Sequence, residues 1–253
     1  YTTLFRSDLG FYEIARIPNQ IVFMENRKTG FKNYLEELSK NNIQDKNKKN
    51  ISALVLNANP FTLGHLYLVE KASGESDLLH LFIVSEDASL IPFEIRKRLV
   101  IEGTRHLKNI IYHDSGPYII SNATFPSYFQ KDEQAVIISH ANLDLNIFIK
   151  IAEALKINSR YVGEEPKSLV TGIYNKIMSG KLPENNIKCV IVPRKLEDNG
   201  QVISASNVRQ ALKEGNLDRV KNLVPESTFE FFRSPEAEKI ISRIKKSENV
   251  IHY

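Results

Sequence analysis

Two short stretches of this 253-residue chain carry residue types suited to handling phosphate. The first is Thr62-Leu63-Gly64-His65, which follows the apolar run Ile51 to Leu56 and the strand breakers Asn57, Asn59 and Pro60. An imidazole beside a glycine can donate a hydrogen bond to a phosphate oxygen as charge builds there, and the glycine lets that oxygen approach the backbone. The threonine hydroxyl adds another donor. The second stretch is Ile203-Ser204-Ala205-Ser206-Asn207-Val208-Arg209. Ser204 and Ser206 place hydroxyls at what reads as a helix start, and Arg209 on the early helix reaches back toward the same pole. Free N–H groups and the positive end of the dipole make a helix start an anion site. Alone, each stretch is ordinary: a lone histidine is usually a hydrogen-bonding residue, and a serine cap with a nearby surface arginine is common. Together, at opposite ends of one region, they point to a phosphate cradle.

Those residues need a scaffold that brings them together. Ile51 to Leu56, Leu78 to Val84, Asn109 to Tyr112, Arg160 to Gly163 and Ile187 to Val192 read as strands. Helices are expected after Gly64, after Pro92, over Leu145 to Leu155 and over Ser204 to Leu212. Tyr118 to Ile120 and Ala135 to Ser139 read as shorter apolar runs, with a loop or lid between them. Strands alternating with helices predict an α/β fold with a doubly wound parallel sheet. Its ligand is then expected at the strand C-terminal ends, where the loops after Leu56, Val84, Val162 and Val192 converge. Pro225 to Lys246 reads as two packing helices, with Ser234-Pro235-Glu236 as a cap. Residues 1–45 offer two strands, a short amphipathic helix and a polar linker beginning at Asn41, too little to bury a core alone. The boundary expected is therefore 1–45 and 46–253.

T-x-G-H after a first strand resembles the signature of the HxGH nucleotidyltransferase superfamily, with Thr62 in place of the first histidine. I-S-x-[ST]-x-x-R, here Ile203 to Arg209, resembles the motif that pairs with it. The longer string NANPFTLGH is similar, more narrowly, to the citrate lyase ligase family. The resemblance runs from Ile51 to about Pro225 and implies a Rossmann-like domain using ATP, with Mg²⁺ expected and its protein ligands unknown. It implies catalytic roles for His65, Thr62 and Arg209. It sets Asn57, Asn59, Pro60, Phe61, Gly64, Gly163, Glu165, Ser204 and Ser206 against ATP, and makes Arg96, Ser121, Asn122 and Thr124 candidates for the acceptor side. LGFYEIA and IVFMEN resemble the C-terminal end of an acetyltransferase-like (GNAT) domain; a strand pair packed on the main domain is the other reading. In that family, ATP and acetate acetylate the deacetylated acyl-carrier subunit of citrate lyase through acetyl-adenylate, releasing AMP and pyrophosphate. Two alternatives stay open: an adenylyltransferase acting on a small phosphorylated acceptor such as pantetheine phosphate, and a non-catalytic nucleotide-sensing module.

Composition bounds these readings. A net charge of +4 suits ATP or an acidic carrier protein and is far from a nucleic-acid-binding signature. The single cysteine, Cys189, excludes an intrachain disulfide and fits a reducing compartment; within the apolar string IKCVIVP it reads as a buried structural thiol. No apolar run reaches the roughly 20 residues of a bilayer span, and no signal peptide is seen, so a cytoplasmic location without membrane contact is expected. The start at Tyr1 rather than Met leads us to expect sequence upstream. Neither zinc-ligand spacing, a Ser-His-Asp arrangement nor a Walker loop is present.

Overall fold

The computed structural model describes residues 8–40, 48–126, 133–165, 168–197 and 200–248. Five parallel strands form the central sheet: β3 (Ile51–Leu56), β4 (Leu78–Ile83), β5 (Ile110–Asp114), β6 (Ser159–Gly163) and β7 (Lys188–Val192). Their spatial order is β5-β4-β3-β6-β7. The chain winds outward from β3 in one direction, returns, and winds outward in the other. The switch point therefore lies between β3 and β6, beyond Leu56 and Gly163. β3 and β4 are almost continuously buried apolar runs, as a parallel sheet covered on both faces requires.

Strand alternation divides the core into two layers. Leu54, Leu56, Leu79, Leu81 and Ile83 face one side. Packed there are α2 (Leu63–Gly74), α3 (Phe93–Thr104) and α6 (Ala205–Glu214). The same layer holds α7 (Leu217–Leu223), α8 (Glu226–Arg233) and α9 (Glu238–Lys246). Ala53, Leu78 and Phe82 face the other side, under α4 (Gln134–Leu155) and α5 (Leu169–Glu184). Each fully buried Leu, Ile or Phe contributes about 1.5–3 kcal/mol.

α4 differs from expectation. The run at Ala135 and the helix at Leu145 are one helix of 22 residues. Its length and mean hydropathy would suit a bilayer span, yet its apolar face, including Ile137, Leu145, Phe148 and Ile151, is buried against the sheet. α5 and α7 were not foreseen; α5 starts at a Ser168 cap, whose hydroxyl accepts from the Thr171 N–H.

β1 (Tyr12–Ile17) and β2 (Ile21–Glu25) form an antiparallel hairpin, followed by α1 (Gly30–Lys40). This unit does not stand apart. Ala15, Phe31 and Leu38 belong to the same buried layer as α4. Phe23, Phe31 and Tyr34 cluster on Tyr118, which follows β5. The Tyr118 hydroxyl donates to Glu25 at 2.9 Å, and the Tyr34 hydroxyl donates to the carbonyls of Asp114 and Ser115. The linker expected at Asn41 to Asn50 falls mostly outside the described residues.

One polar pair sits deep in the α4 layer. His80 of β4 and His113 of β5 meet through Nδ1 and Nε2 at 2.8 Å, with their rings stacked and His113 stacked on Phe82. One nitrogen donates and the other accepts, so the accepting ring is unprotonated at that nitrogen. Burial, the charge of the partner ring and Lys48 push His80 down to about 3, and burial pushes His113 down to about 4.

Candidate active site

β3 ends at Leu56, and Asn57 to Phe61 lead into α2. Thr62 is the N-cap, and a reciprocal capping box forms with His65 where a Glu or Gln is usual. The Thr62 hydroxyl accepts from the His65 N–H at 3.2 Å, and His65 Nδ1 accepts from the Thr62 N–H at 3.1 Å. A backbone N–H can only donate, so Nδ1 is the unprotonated nitrogen and the proton resides on Nε2. Burial, with the charges of Arg194 and Arg209, pushes the imidazole down to about 4. His65 is thus a neutral ring of fixed tautomer, with Nε2–H as its donor at neutral pH. Thr62 was expected to meet phosphate itself. It is 1% exposed and its hydroxyl is spent on the cap and on His65 Nδ1, 2.9 Å away, so it orients the histidine instead.

The residues around it brace the loop. Phe61, expected beside ATP, is fully buried with its ring stacked on His65 at 6.0 Å. It fits because α3 has Gly103 opposite: a Cβ there would lie 2.6 Å from the ring. Gly64 was expected to admit phosphate. A Cβ at Gly64 would sit 3.0 Å from the Ile203 carbonyl oxygen, so its small size brings the second motif against the first. Asn59 joins cis to Pro60. Its side-chain oxygen accepts from the Ile91 N–H, while its buried Nδ2 has no partner among the described residues.

Ser204 caps α6, its hydroxyl accepting from the Asn207 N–H. Arg209 is 2% exposed; its guanidinium donates to the Asn59 carbonyl at 2.5 Å and to the Ser206 hydroxyl at 3.3 Å. It ties the second motif to the first loop from beneath. Arg96, expected on the acceptor side, is corrected: it is fully buried. It donates to the carbonyls of Ile91, Asn57, Val84 and Glu86, all within 2.9 Å, and so bolts the exits of β3 and β4 together.

Across the switch point, Gly163 ends β6 and Glu165 follows it. A Cβ on Gly163 would make only an ordinary contact with Leu68, so packing alone does not demand glycine there. Glu165 is ion-paired with Arg194, and its carboxylate also accepts from the Ser168 N–H. Arg194 Nε donates to the Glu164 carbonyl at 2.7 Å. Asn175 of α5 donates to the Gly163 carbonyl at 3.0 Å, while its buried Oδ1 has no partner among the described residues. Arg194 escaped notice in the sequence. The signal available was a basic residue just after β7, the strand beside β6.

On the β5 side, Ser121 and Thr124 are fully buried and are also corrected as acceptor contacts. Thr124 donates to Asp144 at 2.9 Å, and Ser121 donates to the Pro117 carbonyl. Asn122 is exposed and held by Glu86, whose carboxylate accepts from its N–H at 2.7 Å and its amide at 2.8 Å. Residues 127–132, most of the second half of the expected lid, lie outside the described residues. Cys189 of β7 is half-buried, and burial pushes its thiol up.

Among the described residues no three His, Cys, Asp or Glu side chains converge on a point that could hold a metal. An open cleft of about 850 Å³ lies between α3 and α8, lined by residues that include Gly103 and Ser227 but not His65.

A family model described as the citrate lyase ligase C-terminal domain matches residues 51–232. The chain is 40% identical over 239 residues to the [citrate [pro-3S]-lyase] ligase of Haemophilus influenzae, covering 92% of this chain and 70% of that one. It is 39% identical to the enzyme of the same name from Escherichia coli, covering 92% and 67%. Among solved structures it is similar to the pantoate-beta-alanine ligase of Francisella tularensis, at 16% identity and a TM-score of 0.48, over 83% of this chain and 84% of that one. The match spans Thr62 to His65, Ile203 to Arg209 and everything between them, and the chain belongs to the citrate lyase ligase family.

Proposed function

We propose that this chain activates acetate with ATP and transfers the acetyl group to the thiol of the deacetylated acyl-carrier subunit of citrate lyase. Family membership supports the reaction. The observation that carries the site is the neutral, tautomer-fixed His65 at the start of α2, against the Ser204 cap of α6. A carboxylate oxygen of acetate bonds to the α-phosphorus, the bond to the bridging oxygen breaks, and pyrophosphate leaves. The carrier thiol then attacks the acetyl carbon, AMP leaves, and the thiol proton goes to water. Acetate is already ionised at pH 7, so the first step needs no base. It needs charge stabilisation and alignment.

His65 Nε2–H supplies a donor for a phosphoryl oxygen, and the ring's low basicity keeps it neutral, so it donates without first taking up a second proton. Two helix starts add backbone N–H groups. Arg194, whose charge acts on His65, supplies a cation for the nucleotide, and Glu165 stands beside it for the ribose hydroxyls. The orphaned Asn59 amide, a buried donor in the loop, suits an anion-binding turn. Asn57, Pro60, Phe61, Gly64 and Arg209 shape this cradle from behind. Asn122 is the candidate left on the acceptor side. Mg²⁺, which neutralises triphosphate charge when bound, would be held chiefly by the nucleotide's own oxygens.

The test is pyrophosphate release from ATP with acetate, with and without the deacetylated carrier. His65→Ala is expected to keep the fold and lower acetate-dependent release by about 10²-fold or more. Release with pantetheine phosphate and none with acetate would replace this reading by an adenylyltransferase. Nucleotide binding with neither would replace it by a sensing module.

A further inference from the structure

Ile120 has φ +47°, in the left-handed region, where a β-branched residue is a genuine outlier. It lies in the turn after β5, flanked by the buried Tyr118, Ile119 and Ser121. Its N–H donates to Asp144 Oδ1 at 2.6 Å. The same oxygen accepts from the Thr124 hydroxyl at 2.9 Å, and Oδ2 accepts from the Tyr174 hydroxyl at 2.7 Å. Asp144 is fully buried on α4, and the Tyr174 hydroxyl in turn accepts from Arg160 at 3.1 Å. A buried carboxylate with three donors, one of them a strained backbone N–H, is an anchor for that turn. Asn122, two residues on, is gripped by Glu86, and Arg96 bolts the Glu86 backbone to the β3 exit loop. The turn is thus fixed at both ends: to the phosphate cradle through Glu86 and to the core through Asp144.

We propose that Asp144 is a positioning residue that holds the 115–125 turn in its strained shape and thereby sets the affinity for the acid substrate. The inference rests on the function proposed above, in which Glu165 and Arg194 take the nucleotide side. The β5 side, with Asn122 at its surface, is left for the second reactant. Asp144 touches no reacting atom; it acts through Ile120 and Thr124.

The experiment measures KM for acetate and for ATP in pyrophosphate release, together with hydrogen exchange of the Ile120 amide, in wild type, Asp144→Asn and Thr124→Val. In Asp144→Asn, KM for acetate is expected to rise about fivefold or more while KM for ATP stays within about twofold. Exchange at Ile120 is expected to quicken about tenfold or more. A purely structural role would lower the melting temperature and leave both KM values alone, and that result overturns the proposal. So does an equal rise in both. If Asp144→Asn does not fold, Thr124→Val decides. It removes one partner at nearly constant shape and is expected to shift acetate KM and Ile120 exchange in the same direction by a smaller factor; no change in either overturns the proposal. If wild type releases no pyrophosphate with acetate, the proposed function and the acid-affinity claim both fail. The exchange data then report separately whether Asp144 holds the turn.

Discussion

The His80–His113 pair makes stability depend on pH in a way that can be worked out in advance. Both rings are neutral in the folded chain, pushed down to about 3 and about 4, whereas an unfolded histidine titrates near 6.5. Below neutrality the unfolded chain therefore takes up protons that the folded chain refuses, and stability falls with pH. The loss begins near pH 7, grows as pH drops, and levels off only below the folded values. At pH 5.5 each buried ring favours unfolding by roughly 1–2 kcal/mol, since RT ln(1 + 10) applies whenever the folded value lies well below 5.5. His65, pushed down to about 4, adds a third equal contribution. Wild type should lose about 4 kcal/mol from these three groups between pH 8 and pH 5.5, out of a typical total of about 5–15. Replacing both members of the pair at once, as His80→Leu with His113→Phe, leaves no orphaned partner and removes two of the three contributions. Urea unfolding at the two pH values should show the variant losing about 3 kcal/mol less than wild type. Carboxylates titrate in both proteins and cancel in that difference. Losses that agree within about 1 kcal/mol would refute the assignment of the pair as buried and neutral.

Thr62→Val should cost about 1 kcal/mol through the lost N-cap and lower turnover by loosening His65, while Thr62→Ser stays near wild type; melting curves and pyrophosphate release check both. Gly103→Ala should destabilise by about 1–3 kcal/mol by pressing on Phe61, although the same change in an open helix would stabilise by about 1 kcal/mol. A raised melting temperature would contradict that packing. Arg194→Gln removes a positive charge that depresses His65, so the histidine's titration, followed by NMR, should move upward from about 4, and KM for ATP should rise about tenfold.

The parallel sheet and the placement of both motifs were legible because they rest on local signals. Ile51 to Leu56 is an unbroken apolar run, and Ser204 carries the expected cap one residue before α6. α4 was only half legible, because His140, Asn142 and Asp144 interrupt its apolar pattern. Asn142 returns its amide to the Ile138 carbonyl, and Asp144 finds its donors on a distant turn and on α5, so neither ends the helix. The misassigned site residues share one cause. Arg96, Thr62, Ser121 and Thr124 are polar, and polarity near a site suggests contact with a ligand. Each is instead buried on backbone groups, core side chains or His65, and nothing in the local sequence distinguishes those outcomes. Arg194 shows the converse. Its importance arises only when the ends of β6 and β7 are side by side.

The contact between Gly64 and Ile203, sealed by Arg209 on Asn59, joins the first loop of the sheet to a turn that follows its last strand. On a ribosome, the histidine emerges long before the segment that must press against it. A nascent or truncated chain ending short of α6 can hold the strands and still lack half of the cradle. Closing so distant a contact comes late and slowly, after the intervening strands have paired. An incompletely made enzyme of this kind would be unable to consume ATP, and catalytic competence would mark the completion of the domain.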